Sequence, residues 1–205
     1  MFDNNLPLIL FILITINVIN QNTAGFDSYV YQKVAACISD RQTQLMILIS
    51  YLGSGIFLSA LSLVFIVLSL GNKRKLYFAA MAAVNLLLSG LVNAGFKYII
   101  HRDRPHILKL IEVGGLSFPS GHSMTSMSFY GFLIYLCCRN VRPAAKYKII
   151  CALWLLVLLI GLSRVYLGVH YASDVLGGFS LGIFWVGLYS LIVDKIYRKN
   201  LQKSE

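Results

Sequence analysis

The sequence predicts an all-α fold, a bundle of six membrane-spanning helices. Two properties of the composition lead to this class: 58% of the 205 residues are hydrophobic and only 13% are charged. Soluble domains are about one quarter charged, so this chain carries too few charges to cover a water-exposed surface. A third observation is the series of long apolar segments along the chain. No linker or repeat interrupts them, so residues 1–205 are expected to form a single domain.

A helix needs about 20 mostly apolar residues to cross the hydrocarbon core of a bilayer. Six segments are candidates: 6–20, 45–70, 76–96, 120–138, 149–168 and 175–194. The first is shorter than the others and contains Asn17 and Asn20. A cleavable signal peptide is the alternative for this segment. Because residues 2–5 include no basic residue, the sequence favours a retained span.

The distribution of basic residues predicts that both termini are cytoplasmic, since Lys and Arg accumulate in cytoplasmic loops. Basic clusters follow the second, fourth and sixth spans: Lys73, Arg74, Lys75, Arg139, Arg142, Lys146, Lys148, Lys195, Arg198, Lys199 and Lys203. Residues 97–119 and 163–174 then lie on the outer face. The net charge of +10 is thus explained by topology and anionic ligands, and nucleic acid is not expected as a partner.

Three cations in the two outer segments form a candidate anion site, Lys97, Arg104 and Arg164. Arginine matches phosphate oxygens with two parallel hydrogen bonds, and lysine acts as a point charge. Three converging cations suit a group with about two negative charges, such as phosphate. The alternative, anchoring by the positive-inside rule, predicts cations on the cytoplasmic face instead. Ser120 and Gly121 stand where a span begins, and helix N-termini attract anions.

Two histidines and a carboxylate accompany these cations. His122 follows Ser120-Gly121 directly, and His170 and Asp174 are four residues apart. A helix entering the sixth span would place His170 and Asp174 on one face. A carboxylate bonded to one imidazole nitrogen leaves the other free to attack. The alternative for this pair is a structural helix cap.

Three weaker patterns concern packing. A polar stripe predicts that Lys97 points into the bundle and that its two asparagines form interhelical hydrogen bonds: Asn85, Ser89, Asn93 and Lys97. Gly178 and Gly182 form a small-residue packing pattern in the sixth span. Residues 26–38 are compatible with an interfacial helix beside the site or with a plain loop.

Three blocks, in order, carry a family resemblance. They are Lys97 with six residues before Arg104-Pro105, then Pro119-Ser120-Gly121-His122, then Ser163-Arg164 with five residues before His170 and three more before Asp174. This pattern resembles the type 2 phosphatidic acid phosphatase family of membrane lipid phosphatases. The resemblance covers the second to sixth spans, with the catalytic motifs inside 97–174, and is weakest over 1–44.

The resemblance implies a role for each matching position. His170 is the nucleophile that forms a phosphohistidine, Asp174 orients it, and His122 is the general acid. The phosphate-binding residues are Lys97, Arg104, Ser120, Gly121 and Arg164. It implies no metal and no cofactor, and the sequence has no Asp/Glu cluster at the site to hold a metal.

The implied activity is hydrolysis of a lipid phosphomonoester or diphosphate in the cell membrane, with the active site at the outer membrane–water interface. Phosphatidylglycerophosphate, undecaprenyl diphosphate and phosphatidate are the candidate substrates, and the oligomeric state is left open. Vanadium haloperoxidases share the motifs but are soluble. The remaining alternative is a non-catalytic protein of the same fold that binds or transports lipid headgroups.

Overall fold

The computed structural model describes residues 5–106, 109–140 and 143–202, and these ranges contain eight helices and no strand. Arg142 and Lys203, two of the basic residues used to predict orientation, lie outside them. The helices are α1 (Asn5–Ile19), α2 (Ala24–Ala35), α3 (Asp40–Tyr51), α4 (Gly55–Leu68), α5 (Lys73–Ile100), α6 (Gly121–Asn140), α7 (Pro143–Tyr166) and α8 (Ala172–Gln202).

Each predicted span corresponds to one helix or to a bent pair. Segment 45–70 consists of α3 and α4, which meet at 50°. The bend has a local cause, because Ser54 is extended and its side chain accepts a hydrogen bond from Phe57 N, starting a new helix. Residues 26–38 are mostly helical and form α2, so the loop alternative is wrong. Helix α2 meets α1 at 98°.

In the part of the chain that the structure describes, three helices are long and apolar enough to cross a membrane: α5, α7 and α8. Counting each bent pair as one span raises the number to five. Helix α6 is less apolar than these three, since its first half is rich in serine. It packs against α5, α7 and α8, however, and most of its first half is buried. Polar side chains surrounded by other helices avoid lipid, so α6 tolerates them.

Helices α5 to α8 alternate in direction, which separates two ends of the bundle. At one end, Tyr77 donates to Val193 O (3.2 Å), and Arg139 pairs with Asp194. The described residues of the basic clusters lie at this end. At the other end, Ser120 N donates to Asp174 O (3.0 Å). All three motif blocks lie there, opposite the basic clusters.

Hydrogen bonds between helices confirm the interpretation of the two asparagines. Asn85 donates to Ser128 O (2.9 Å) and accepts from Trp185 Nε1 (2.8 Å), which joins α5, α6 and α8. Asn93 donates to Pro119 O (3.3 Å), just before α6. The second contact fixes the start of α6 against α5.

Glycines bring α8 into close contact with α6. A Cβ at Gly178 would lie 2.7 Å from Ser120 O and 2.9 Å from Ser123 Cβ. A Cβ at Gly182 would lie 2.8 Å from Met127 Cβ. Small residues at these positions therefore set the distance between the two helices, as the spacing predicts.

We expect Gly178→Ala to destabilise the protein by about 1–3 kcal/mol, the usual cost of overpacking. The added methyl group meets backbone atoms of the α6 start, which cannot rotate away. The measurement is the midpoint of thermal unfolding in detergent. Gly90→Ala is the control, because Gly90 also lies within a helix but has open space around its Cβ position. Equal midpoints for the two variants would contradict the prediction.

Candidate active site

The structure places all eight predicted site residues at the same end of the bundle. Lys97 is in the last turn of α5, and Arg164 is in the last turn of α7. The connection after α5 supplies Arg104, and the other five residues flank the starts of α6 and α8: Ser120, Gly121, His122, His170 and Asp174. His122 lies close enough to Lys97, Arg104, Arg164 and His170 for their charges to act on it.

His170 and Asp174 are in contact, but not along one helical face. Helix α8 begins at Ala172, so His170 precedes it. His170 Nδ1 lies 3.4 Å from Asp174 Oδ2, and the same oxygen accepts from Tyr171 N at 2.9 Å. The aspartate thus reaches back over the first turn of α8. The carboxylate therefore caps the first turn of α8, as the structural alternative predicts, and also contacts the imidazole.

Hydrogen bonds to His170 define its tautomer. Arg104 Nη1 lies 3.2 Å from His170 Nε2. Because a guanidinium can only donate, Nε2 must accept, and the ring proton resides on Nδ1. Nδ1 faces Asp174 Oδ2 and, at 3.3 Å, Ser117 Oγ.

His170 is 3% exposed, and its environment keeps the ring neutral. Burial lowers the pKa of His170 to about 4, with Arg104 and Arg164 acting in the same direction and Asp174 opposing them. A neutral imidazole at ordinary pH has a lone pair on Nε2, which here accepts the hydrogen bond from Arg104 Nη1. This nitrogen is therefore oriented and deprotonated as a nucleophile requires.

Arg104 is fixed by backbone carbonyls. Its Nε donates to Gly114 O (3.1 Å) and Gly115 O (2.9 Å), and its Nη1 donates to Val169 O (2.7 Å). Burial is the main cause that lowers the pKa of Arg104. The guanidinium nevertheless stays charged, because an ordinary arginine titrates far above neutral pH.

Arg164 and Lys97 complete the group of cations. Arg164 is 2% exposed; its guanidinium donates to Ser50 Oγ, while its buried Nε has no hydrogen-bond partner among the described residues. Lys97 points into the bundle, as predicted, and donates to Leu116 O and to Ser117 O (3.1 Å). Within the described ranges, neither Lys97, Arg104 nor Arg164 has a carboxylate within 4.0 Å.

Ser120 and Gly121 lie at the start of a helix, α6, as the sequence predicts. Helix α6 begins at Gly121, so the first backbone N–H groups have no carbonyl partner within the helix. Ser120 Oγ accepts from Ser123 Oγ (2.9 Å) and keeps its own hydrogen for another acceptor. A Cβ at Gly121 would lie 3.2 Å from Asn93 Oδ1, so a glycine fits best there.

The structure adds residues that the motifs do not include. Arg102 Nη1 donates to Asp174 Oδ1 (2.6 Å), and its Nη2 donates to Asp27 Oδ2 (2.9 Å). Ser117 Oγ donates to Asp174 Oδ2. Nothing in the local sequence separates Arg102 from its charged neighbours. Asp27 lies 75 residues from its partner, so no spacing rule connects them.

Among the described residues, no group of three or more His, Cys, Asp or Glu side chains is arranged to hold a metal ion.

The amino-acid sequence of the chain is similar to those of known lipid phosphatases. Residues 75–198 match the PAP2 superfamily. The chain is 33% identical over 194 residues to phosphatidylglycerophosphatase B of Bacillus subtilis, covering 93% of this chain and 95% of that protein. It is 43% identical over 127 residues to lipid A 1-phosphatase of Rhizobium johnstonii, covering 57% of this chain and 48% of that one.

A solved structure shares the fold. The crystal structure of a transmembrane PAP2-type phosphatidylglycerolphosphate phosphatase from Bacillus subtilis superimposes with a TM-score of 0.87 at 26% identity. The superposition covers 96% of this chain and 98% of that one. The helices of this multi-pass membrane protein are therefore arranged as in a known membrane phosphatase.

Proposed function

Because the chain belongs to the PAP2 superfamily, we propose that it hydrolyses the phosphate ester of a membrane lipid through a phosphohistidine intermediate, without a metal ion. The observation that carries this proposal is a surplus of positive charge, from the buried Arg164 and the partly buried Lys97 and Arg104, beside a neutral, oriented histidine. Such a surplus needs an anion to compensate it.

The charges at the site can be counted. Lys97, Arg104 and Arg164 have no carboxylate partner in the described part of the chain, whereas Arg102 is shared by Asp27 and Asp174. Four cations against two carboxylates leave two positive charges. A phosphate monoester carries about two negative charges at neutral pH. The unpartnered Arg164 Nε also fits a phosphate oxygen as its missing acceptor.

In the first step, His170 Nε2 attacks phosphorus, and a P–N bond forms as the bond from phosphorus to the lipid oxygen breaks. Arg104 Nη1 must shift its hydrogen bond from Nε2 to a phosphate oxygen, which frees the attacking lone pair. Asp174 stabilises the charge that develops on the ring. His122 donates a proton to the departing lipid oxygen.

In the second step, His122 accepts a proton from water, the water oxygen attacks phosphorus, and the P–N bond breaks. Inorganic phosphate and the neutral His170 are regenerated. Ser120 and the backbone at Gly121 bind phosphate oxygens throughout. Dividing the hydrolysis in two replaces one difficult step with two easier ones.

We further propose a single domain with six spans, α1, the pair α3–α4, and α5 to α8. The basic clusters at one end favour a cytoplasmic position for that end and for both termini. The active site then faces the extracytoplasmic side, at the membrane–water interface, where lipid headgroups lie.

Phosphatidylglycerophosphate is the first substrate to test, because the relative that aligns over 93% of the chain is named for it. Phosphate release in EDTA from phosphatidylglycerophosphate, undecaprenyl diphosphate and phosphatidate, side by side, tests the proposal. We expect release from at least one lipid, inhibition by vanadate, and a loss of about a thousandfold or more in His170→Ala.

His170→Ala should also lose the acid-labile phosphoenzyme that the wild-type protein forms. A folded wild-type protein that releases no phosphate from any of the three lipids would instead favour the non-catalytic headgroup binder. Full activity of His170→Ala would refute the assignment of the nucleophile.

The role of His122 predicts a dependence on the leaving group. His122→Ala should lose about a hundredfold or more on a lipid phosphate, whose alkoxide needs a proton, and much less on an activated aryl phosphate. The measurement is kcat/KM for both substrates. Equal losses on the two would contradict a general-acid role.

The pH profile of kcat/KM should be bell-shaped when chemistry limits the rate. With its pKa lowered to about 4, His170 gains a proton only as the pH falls through that value, so activity is lost there. Activity also falls at higher pH, once the phosphate dianion of the bound lipid can no longer keep His122 protonated against the surrounding cations. An acid limb near pH 6.5, the ordinary histidine value, would be inconsistent with the buried, cation-flanked nucleophile.

A further inference from the structure

The two oxygens of Asp174 have different partners. Oδ2 faces His170 Nδ1 and accepts from Tyr171 N and Ser117 Oγ. Oδ1 accepts from Arg102 Nη1 at 2.6 Å. Asp174 is fully buried, so Arg102 supplies the positive charge that keeps the carboxylate ionised and fixes the oxygen that the histidine does not use.

Arg102 is itself held from three sides. Its Nη2 donates to Asp27 Oδ2 (2.9 Å) and to Thr23 Oγ1 (3.2 Å). Its guanidinium carbon lies 4.0 Å from the centroid of the Tyr171 ring. A planar guanidinium with both arms bonded and one face on a ring has little freedom, which lysine could not reproduce.

Asp27 connects this arrangement to the first turn of α8 a second time. Its Oδ1 accepts from Ser173 N (2.8 Å) and its Oδ2 accepts from Ser173 Oγ (2.8 Å). Ser173 Oγ also accepts from Arg102 Nη1 (2.8 Å). Asp27 is 4% exposed and lies in the first turn of α2. The residue before Asp174 is thus bound to α2 through both its backbone and its side chain.

We propose that Asp27 and Arg102 are positioning residues for the nucleophile. The two ion pairs Asp27–Arg102 and Arg102–Asp174 hold Asp174 against His170, so the orientation of His170 depends on the packing of α2. This rests on the proposed function, in which His170 attacks phosphorus. Neither residue is one of the eight motif positions, although Arg102 lies between Lys97 and Arg104 in the first block. Asp27 lies in the region where the family resemblance is weakest.

The proposal predicts an effect on turnover, because Lys97, Arg104 and Arg164 keep their positions when Asp27 is changed. Asp27→Asn is nearly isosteric, and we expect it to lower kcat by about tenfold to a hundredfold with KM within about twofold. Arg102→Gln should lose at least as much. The double variant should lose no more kcat than Arg102→Gln alone, since both changes break the same series of ion pairs.

The acid limb of the pH profile supplies a readout that a general loss of folding would not move. The charged and titratable groups around His170 are Asp174 on α8, Arg164 on α7, His122 on α6, and Arg104. Removing the negative charge of Asp27 disfavours the protonated ring, so the limb should shift to lower pH. Removing the positive charge of Arg102 should shift it to higher pH.

The experiment measures kcat, KM and the acid limb for purified full-length wild-type protein and each variant, on the lipid that the wild type hydrolyses best. Asp103→Asn is the matched control, because Asp103 is an exposed acid next to Arg102 and should behave as wild type. Arg102→Lys keeps the charge but cannot bridge two carboxylates. It should show the same fall in kcat, and it tests the proposal if Asp27→Asn does not fold.

Unchanged kcat in folded Asp27→Asn and Arg102→Lys would overturn the proposal while leaving the phosphatase function intact. A rise in KM alone, or additive losses in the double variant, would also overturn it. A wild-type protein with no turnover on any lipid would refute the proposed function itself, and the positioning roles with it.

Discussion

A buried aspartate at the start of α8 connects most of the end of the bundle that carries the motif residues. Asp174 caps the first turn of its own helix through Tyr171 N, contacts His170 on one oxygen and Arg102 on the other, and its backbone carbonyl accepts from Ser120 N before α6. A carboxylate removed from water must be fully bonded to remain charged. The need to bond this carboxylate fully therefore fixes the starts of α6 and α8, His170 and the connection after α5 relative to one another.

The second constraint is electrostatic. Bringing Lys97, Arg104 and Arg164 together in a poorly solvated site costs free energy through mutual repulsion and lost hydration. The bundle tolerates this because backbone carbonyls solvate two of the three, Lys97 and Arg104. Burial, together with Arg104 and Arg164, keeps His170 neutral by making a further positive charge unfavourable. In the proposed reaction a dianionic phosphate group removes this repulsion, so that binding of the substrate is coupled to the protonation of His170.

Helix α6 shows how a polar helix can be accommodated inside a bundle of apolar helices. Its serines would be unfavourable against lipid, but α5, α7 and α8 surround it. Gly178 and Gly182 let α8 approach α6 closely. On the other side, Asn85 of α5 donates to α6 itself, and Asn93 of α5 donates to the backbone just before α6. The helix that carries His122 is thus positioned by close packing and by hydrogen bonds to its neighbours.

The sequence by itself determined the helical segments, the two ends of the bundle and the eight motif residues, because apolar runs, basic clusters and short spacings are local properties of a chain. It also located Lys97 on the inner face of α5 and the interhelical role of Asn85. Only the tertiary structure decided what pairs over long separations. The link from Asp27 to Arg102, the unpartnered Nε of Arg164 and the shielding of α6 each depend on which helices become neighbours. No spacing along the chain encodes that, since packing against distant segments selects it.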